Sequence, residues 1–293
     1  MLKRIVVATD FSPAAGHAVA RAAWLCKHAG AELTVVHTVP ERAFFDRVFH
    51  RHELDYDAIV NGAQAALQRI LQDLERSHGL KSHSALRNGA AHREIAAAAA
   101  AANADVLVIG ARGESESVAD GGPLGGTALK SFLGAALPLL LVRRPVSGAY
   151  DKILAGVDES AAGRAVLAAA LELCDSSTSC ELLHAFDVPF AQRLRVQEIK
   201  ESTIDAYAAG EQERCERELE RLASELHARD RVRTIVVRGG SAAAVVREIR
   251  KREPDLVVLG KRARYPRPAE PQSLDSVSLT VALSDSADLL AIP

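Results

Sequence analysis

Short apolar runs alternate along this chain with longer stretches in which apolar residues recur every three or four positions. Runs of four to eight apolar residues bounded by turn residues predict buried strands, and the longer periodic stretches predict amphipathic helices. Residues 5–8, 33–39, a segment ending near Arg87, 105–109 and 139–142 read as five strands. Between them, Asp10-Phe11-Ser12-Pro13 punctuates the first strand, with Ser12 placed to cap a helix that Pro13 opens. That helix turns Ala18, Ala22 and Leu25 inward. A longer one carries Ala63, Leu67, Ile70 and Leu74 as its inward stripe, the alanine-rich run 94–102 forms another, and residues 128–133 form the last.

The same pattern then starts again. Lys3-Arg4-Ile5-Val6-Val7-Ala8-Thr9-Asp10-Phe11-Ser12 returns as Asp151-Lys152-Ile153-Leu154-Ala155-Gly156-Val157-Asp158-Glu159-Ser160, an offset of 148 residues. Asp105-Val106-Leu107-Val108-Ile109-Gly110 returns as Asp255-Leu256-Val257-Val258-Leu259-Gly260, an offset of 150. His37 has its counterpart in His184, and the long helix is echoed by Cys215, Leu219, Leu222 and Leu226. Residues 182–186, 245–251, 279–283 and 289–292 repeat the second strand, the third helix, the last helix and the last strand. The chain therefore reads as two copies of one domain, 1–147 and 148–293. Each is an α/β unit built as a five-stranded parallel sheet flanked by helices. A length of 293 residues suits two such domains.

Pro138 precedes the last strand of the first copy and Pro293 follows that of the second, which suits edge strands, where a missing amide costs least. An exposed apolar edge needs a cover. The sequence thus predicts an intramolecular pseudo-dimer in which the two last strands pair with each other.

A net charge of −2 gives no electrostatic reason to expect a nucleic-acid or anionic-membrane partner. No apolar run reaches the length of a membrane span, and residues 1–4 lead straight into a strand without the features of a signal peptide, so a cytoplasmic location is expected. Cys26, Cys174, Cys180 and Cys215 show no zinc-site spacing and are expected to be reduced thiols on or near core helix faces. His50-Arg51-His52, with Asp55 and Asp57, falls in the region least alike between the copies; it is expected to face solvent and hold no metal.

Open parallel sheets bind ligands beyond the carboxyl ends of their strands, where strand order reverses. Asp10 and the loop after Gly110 lie at such ends. Gly110-Ala111-Arg112-Gly113 is followed, after a spacer, by Gly125-Gly126-Thr127-Ala128 at the start of a helix. Glycines let backbone amides approach phosphate oxygens, a helix N-terminus adds partial positive charge, and Thr127 offers a hydroxyl.

On these residues the chain resembles the universal stress protein family, and in particular its tandem-domain members, which carry the adenine nucleotide α-hydrolase-like fold. The resemblance covers nearly all of both halves: the strand ending in Asp-x-Ser, Val35-Val36-His37, the strand ending at Gly110, and the last helix and strand. It implies a stress-response regulatory or sensing module, acting through an unknown protein partner, that is not an enzyme. The family's ATP-binding signature is GxxG, nine residues, then Gly-Ser/Thr. Carried over residue by residue, the resemblance implies that Asp10 contacts the adenosine portion of ATP or AMP, while Gly110, Gly113, Gly126 and Thr127 hold ribose and phosphates.

Two departures qualify what the resemblance implies. Between Gly113 and Gly126 lie twelve residues instead of nine, among them Glu114, Glu116 and Asp120 with no Lys or Arg, and acidic groups beside a triphosphate oppose binding unless they point outward or share a metal ion. In the second copy Ala263 replaces the second glycine, Ser276-Val277 replaces Gly126-Thr127, and a basic, proline-rich stretch from Lys261 to Pro268 lies between. Any nucleotide is therefore expected in the first domain only. The alternative reading is a ligand-independent interaction or scaffold protein that has kept the fold and lost the site.

Overall fold

The structure, a computed structural model, describes residues 2–49, 55–113, 124–158, 162–188, 196–197, 199–239, 241–261, 277–284 and 287–293. The chain divides into two compact units, Met1–Gly148 and Ala149–Pro293.

In the first unit the elements run β1 (Arg4–Ala8), α1 (Pro13–Ala29), β2 (Glu32–Val39), α2 (Arg42–Phe49), α3 (Tyr56–His78), β3 (Ser82–Asn88), α4 (Ala91–Ala101), β4 (Val106–Gly110), α5 (Gly126–Gly134) and β5 (Leu139–Val142). The strands align in the order β3-β2-β1-β4-β5, and every pairing is parallel. Strand order thus reverses between β1 and β4, and a crevice opens beyond their carboxyl ends.

Local chemistry explains the main boundaries. β1 and β4 are buried on both faces, which is why each reads as a continuous apolar run instead of an alternating one. The Ser12 hydroxyl accepts a hydrogen bond from the Ala15 amide at 3.1 Å, Pro13 opens α1, and Gly30 ends it with φ 66° in the left-handed region. α1 buries Ala18, Ala22 and Leu25 as expected. In α3, Ala63, Leu67 and Leu74 are buried while Ile70 is half-buried. Helix α4 starts at Ala91, three residues before the expected Glu94, with no side-chain cap. Beneath the sheet's amino end, Asp105 Oδ2 accepts the amides of Lys3 and Arg4 at 2.7 and 2.8 Å and so ties β4 to the start of β1.

The second unit repeats this plan. Its elements are β6 (Lys152–Gly156), α6 (Ala162–Glu172), β7 (Ser179–Phe186), α7 (Glu201–Glu225), β8 (Val232–Arg238), α8 (Ser241–Arg252), β9 (Leu256–Gly260), α9 (Val277–Ala282) and β10 (Asp288–Ile292). Strand order is β8-β7-β6-β9-β10, again all parallel. Asp255 accepts the amides of Asp151 and Lys152 as Asp105 does those of Lys3 and Arg4. Tyr150 donates its hydroxyl to Asp288 Oδ2 at 2.8 Å, a hydrogen bond buried in this unit.

One expectation needs correcting. Cys26 and Cys215 lie on buried helix faces, but Cys180 is a residue of strand β7, and Cys174 follows the end of α6. The stripe of α7 also differs in detail: Cys215 and Leu219 are buried, Leu222 and Leu226 half-buried, and Ala223 completes the face. Among the described residues no helix is long and apolar enough to cross a membrane.

Candidate functional site

At the carboxyl ends of β1 and β4 the first unit opens into a cavity of about 110 Å³. All five residues singled out in the sequence meet here: Asp10, Gly110, Gly113, Gly126 and Thr127 line it together. Ala8 and Thr9 of β1 and Ile109 of β4 form its inner end; Val36 and Thr38 of β2 and Ala91 and Ile95 of α4 form one wall. Arg112 and the first residues of α5 close the other side.

Asp10 is fixed by the turn into α1. Its Oδ1 accepts the Ser12 amide at 3.0 Å, and Thr9 Oγ1 accepts the Phe11 amide at 3.0 Å. Phe11 takes φ 66°, unusual for a bulky residue, and its ring packs on His37 with centroids 4.2 Å apart. His37 Nδ1 stands 2.8 Å from the Thr9 carbonyl, and since a carbonyl can only accept, Nδ1 carries the proton. The same bond joins His184 to Val157 O at 2.9 Å in the second unit. The repeated histidine is thus a clasp from β2 or β7 onto the end of the first strand, which explains its return in both copies.

The glycines are required by close approach. A Cβ on Gly113 would stand 2.6 Å from Asp10 Oδ2, and one on Gly110 would stand 3.1 Å from the Ala14 carbonyl. By contrast, a Cβ on Gly126 meets nothing within 4 Å among the described residues, and Gly126 sits at the cavity's edge. Helix α5 is held there by the Gly125 amide, which donates to Ala111 O at 2.7 Å. Among the described residues no side chain caps α5, and its first residues, Gly126, Thr127 and Ala128, line the cavity at the positive end of the helix dipole.

Among the described residues, Asp10 and Arg112 are the charged side chains in this lining. The sequence reading did not single out Arg112, Thr38, Ala91 or Ile95. Arg112 stood inside the glycine motif and could have been found. Thr38, Ala91 and Ile95 reach the site only through the packing of β2 and α4. The acidic residues Glu114, Glu116 and Asp120 lie outside the described residues, as do Ala263, Ser276 and the stretch from 262 to 268 in the second copy. His50 and His52 lie outside them too. Among the described residues no group of three or more His, Cys, Asp or Glu is arranged to hold a metal ion.

The corresponding strand ends in the second unit are more closely filled. Leu259 stands where Ile109 is, and its Cδ2 lies 2.5 Å from where a Cβ on Gly156 would be. Val157 replaces Thr9, so the hydroxyl that receives the Phe11 amide has no counterpart. Lys261, half-buried, replaces the buried Ala111; burial pushes its ammonium below the usual lysine range.

An open parallel sheet with helices around it, present here twice, is a doubly wound α/β domain, and in the first copy a glycine-lined crevice opens at the strand reversal. The model of the universal stress protein family matches residues 1–143 and again 149–292, and the chain belongs to that family. Among solved structures it is similar to a universal stress protein from Archaeoglobus fulgidus, at 16% identity over 99% of this chain and 97% of the other, with a TM-score of 0.65. It is also similar to a universal stress protein from Pseudomonas aeruginosa, at 15% identity over 99% and 93%, with a TM-score of 0.66. The search of curated proteins finds no match.

Proposed function

We propose that this protein is a stress-response sensing module that binds one adenine nucleotide, ATP or AMP, in its first half. Binding, not turnover, is the proposed activity, and occupancy alters contacts with a protein partner. The observation that carries the reading is the convergence of Asp10, Gly110, Gly113, Gly126 and Thr127 on one cavity at the strand reversal.

The lining supports a division of labour. Val36, Ile95 and Ile109 offer an apolar wall for a planar base. The Asp10 carboxylate, an acceptor of hydrogen bonds, suits ribose hydroxyls or an amino group. The first amides of α5, the Thr127 hydroxyl and Arg112 form the anion-binding side. Arg112 also supplies positive charge that the sequence of the spacer lacks. Gly110 and Gly113 fit the role because a side chain at either position would intrude on Asp10 or on the backbone of α1.

The test is direct. Protein purified without added nucleotide is denatured by heat, and released small molecules are identified by mass. ATP, ADP or AMP near one per chain supports the reading. If none is released, and the full chain also fails to bind added ATP or AMP, the ligand-independent scaffold reading takes its place.

A further inference from the structure

Helix α8 of the second unit turns Ala244, Val245, Glu248 and Ile249 into the core. Ala243, Val246, Arg247 and Arg250 are left as a stripe on its other side, at the spacing that places residues on one helix face. Beside α9 this stripe borders a groove of about 510 Å³, lined among the described residues by Ala242, Ala243, Val246, Arg247, Arg250 and Thr280. The nucleotide reading makes no use of it.

The three arginines of α8 have different surroundings. Arg252 is fully engaged: its Nη1 donates to both oxygens of Glu181 at 2.9 Å, and its Nε donates to Glu248 Oε2 at 3.0 Å. Arg247 is held loosely, with Nη2 donating to the Arg238 carbonyl at 3.4 Å and Nε 3.8 Å from Glu248 Oε1. Arg250 is exposed and, among the described residues, makes no hydrogen bond or ion pair. The groove therefore joins a floor of Ala242, Ala243 and Val246 to a cation without a counter-charge.

The fold does not demand this chemistry. At the offset of 150 residues that relates the copies here, Ala97 and Ala100 stand where Arg247 and Arg250 are, and His92 and Arg93 stand where Ala242 and Ala243 are. The first unit thus builds the same helix with the polar and apolar positions exchanged.

We propose that the α8–α9 groove binds a medium-chain carboxylate. The Arg250 fork meets the two carboxylate oxygens, Arg247 flanks them, and the hydrocarbon lies along Ala242, Ala243 and Val246. One unpaired guanidinium matches one negative charge. From Ala242 to Arg250 the helix rises about 12 Å, the reach of a chain of about eight to ten carbons. Spread over that length, the groove's volume leaves a width of about 7 Å, enough for a hydrocarbon chain and narrower than a helix with its side chains, about 10–12 Å across.

The experiment titrates decanoate, kept below micelle formation, into the full-length protein by calorimetry, with decanol as the uncharged control. The expected result is one saturable site per chain for decanoate and much weaker binding of decanol. Arg250→Ala places at this position the residue that the first unit carries, Ala100, and alanine favours a helix, so the variant should melt as the parent does and bind decanoate about tenfold or more weakly. Val246→Asp should abolish binding by setting a charge against the chain. No saturable binding, or binding that Arg250→Ala leaves unchanged, would overturn the proposal. So would failure of decanoate together with Arg250-dependent binding of an amphipathic peptide of Leu and Glu, since the groove would then dock protein. The parent's response to decanoate and decanol decides the matter even where a variant fails to fold.

Discussion

Gly113 and Asp10 share a space that admits only one side chain: a Cβ on Gly113 would stand 2.6 Å from Asp10 Oδ2. Asp10 cannot move away without giving up the Ser12 amide. In Gly113→Ala, then, either the loop or Asp10 must shift, and the carboxylate leaves the position from which it would meet a nucleoside. A misfit of this kind costs about 1–3 kcal/mol, so nucleotide affinity should fall roughly 5- to 150-fold. Calorimetry on the full chain measures it, and unchanged affinity would remove Asp10 from the site.

Gly126 poses the opposite case. Among the described residues nothing lies within 4 Å of its would-be Cβ, its φ is not positive, and it is the first residue of α5. Gly126→Val should therefore fold normally, since Val is no worse than Gly in a helix, while its methyl groups would cover the amides proposed to receive the anion. Thermal melting should be nearly unchanged and nucleotide binding abolished. A variant that binds as the parent does would show that the anion sits elsewhere.

The β1–β4 tie predicts a pH dependence. Burial by itself pushes the Asp105 carboxyl up, but the Lys3 and Arg4 amides and the Arg4 charge outweigh it and hold the group below the usual carboxylate range. Because the folded value is depressed, this contribution is complete above the unfolded value near 3.9 and fades as pH falls through the folded one. At pH 6, Asp105→Ala should lose about 1–2 kcal/mol of stability through its two amide bonds. Denaturant titrations from pH 6 to pH 3 should show the gap between parent and variant closing. A gap that widens in acid would contradict the assignment.

In the second unit, Tyr150→Phe removes the hydroxyl that Asp288 accepts; the two side chains are 2% and 1% exposed. Loss of a buried hydrogen bond to a carboxylate should cost about 1–3 kcal/mol. Differential scanning calorimetry should show a lower melting temperature, and nucleotide binding in the first half should not change.

Much of this architecture was legible because buried parallel strands must be apolar on both faces. Residues 5–8, 105–109 and 139–142 stand out for that reason, and the repeat confirms each against a second copy. Ser12-Pro13 was readable as a helix start because its cap is chemical and local. The start of α4 was not, because an alanine run capped by Ala90 carries no boundary signal. Helix α2 escaped notice since it lies where the copies differ most. At the site, the residues of the glycine motif announced themselves, whereas Thr38 and Ile95 are ordinary in sequence and reach the cavity only when β2 and α4 pack beside β1.

The central claim is that one half binds and the other does not, and nucleotide stoichiometry on the full-length chain tests it most directly. Titration calorimetry with ATP and with AMP should give one site per chain, lost in Gly126→Val. The second half lacks the second glycine and the Gly-Thr step, and losing even two hydrogen bonds to an anion removes about 3–6 kcal/mol, a hundredfold or more in affinity. One site that vanishes with Gly126→Val is the predicted result; two sites per chain, or one that survives that substitution, would contradict the account.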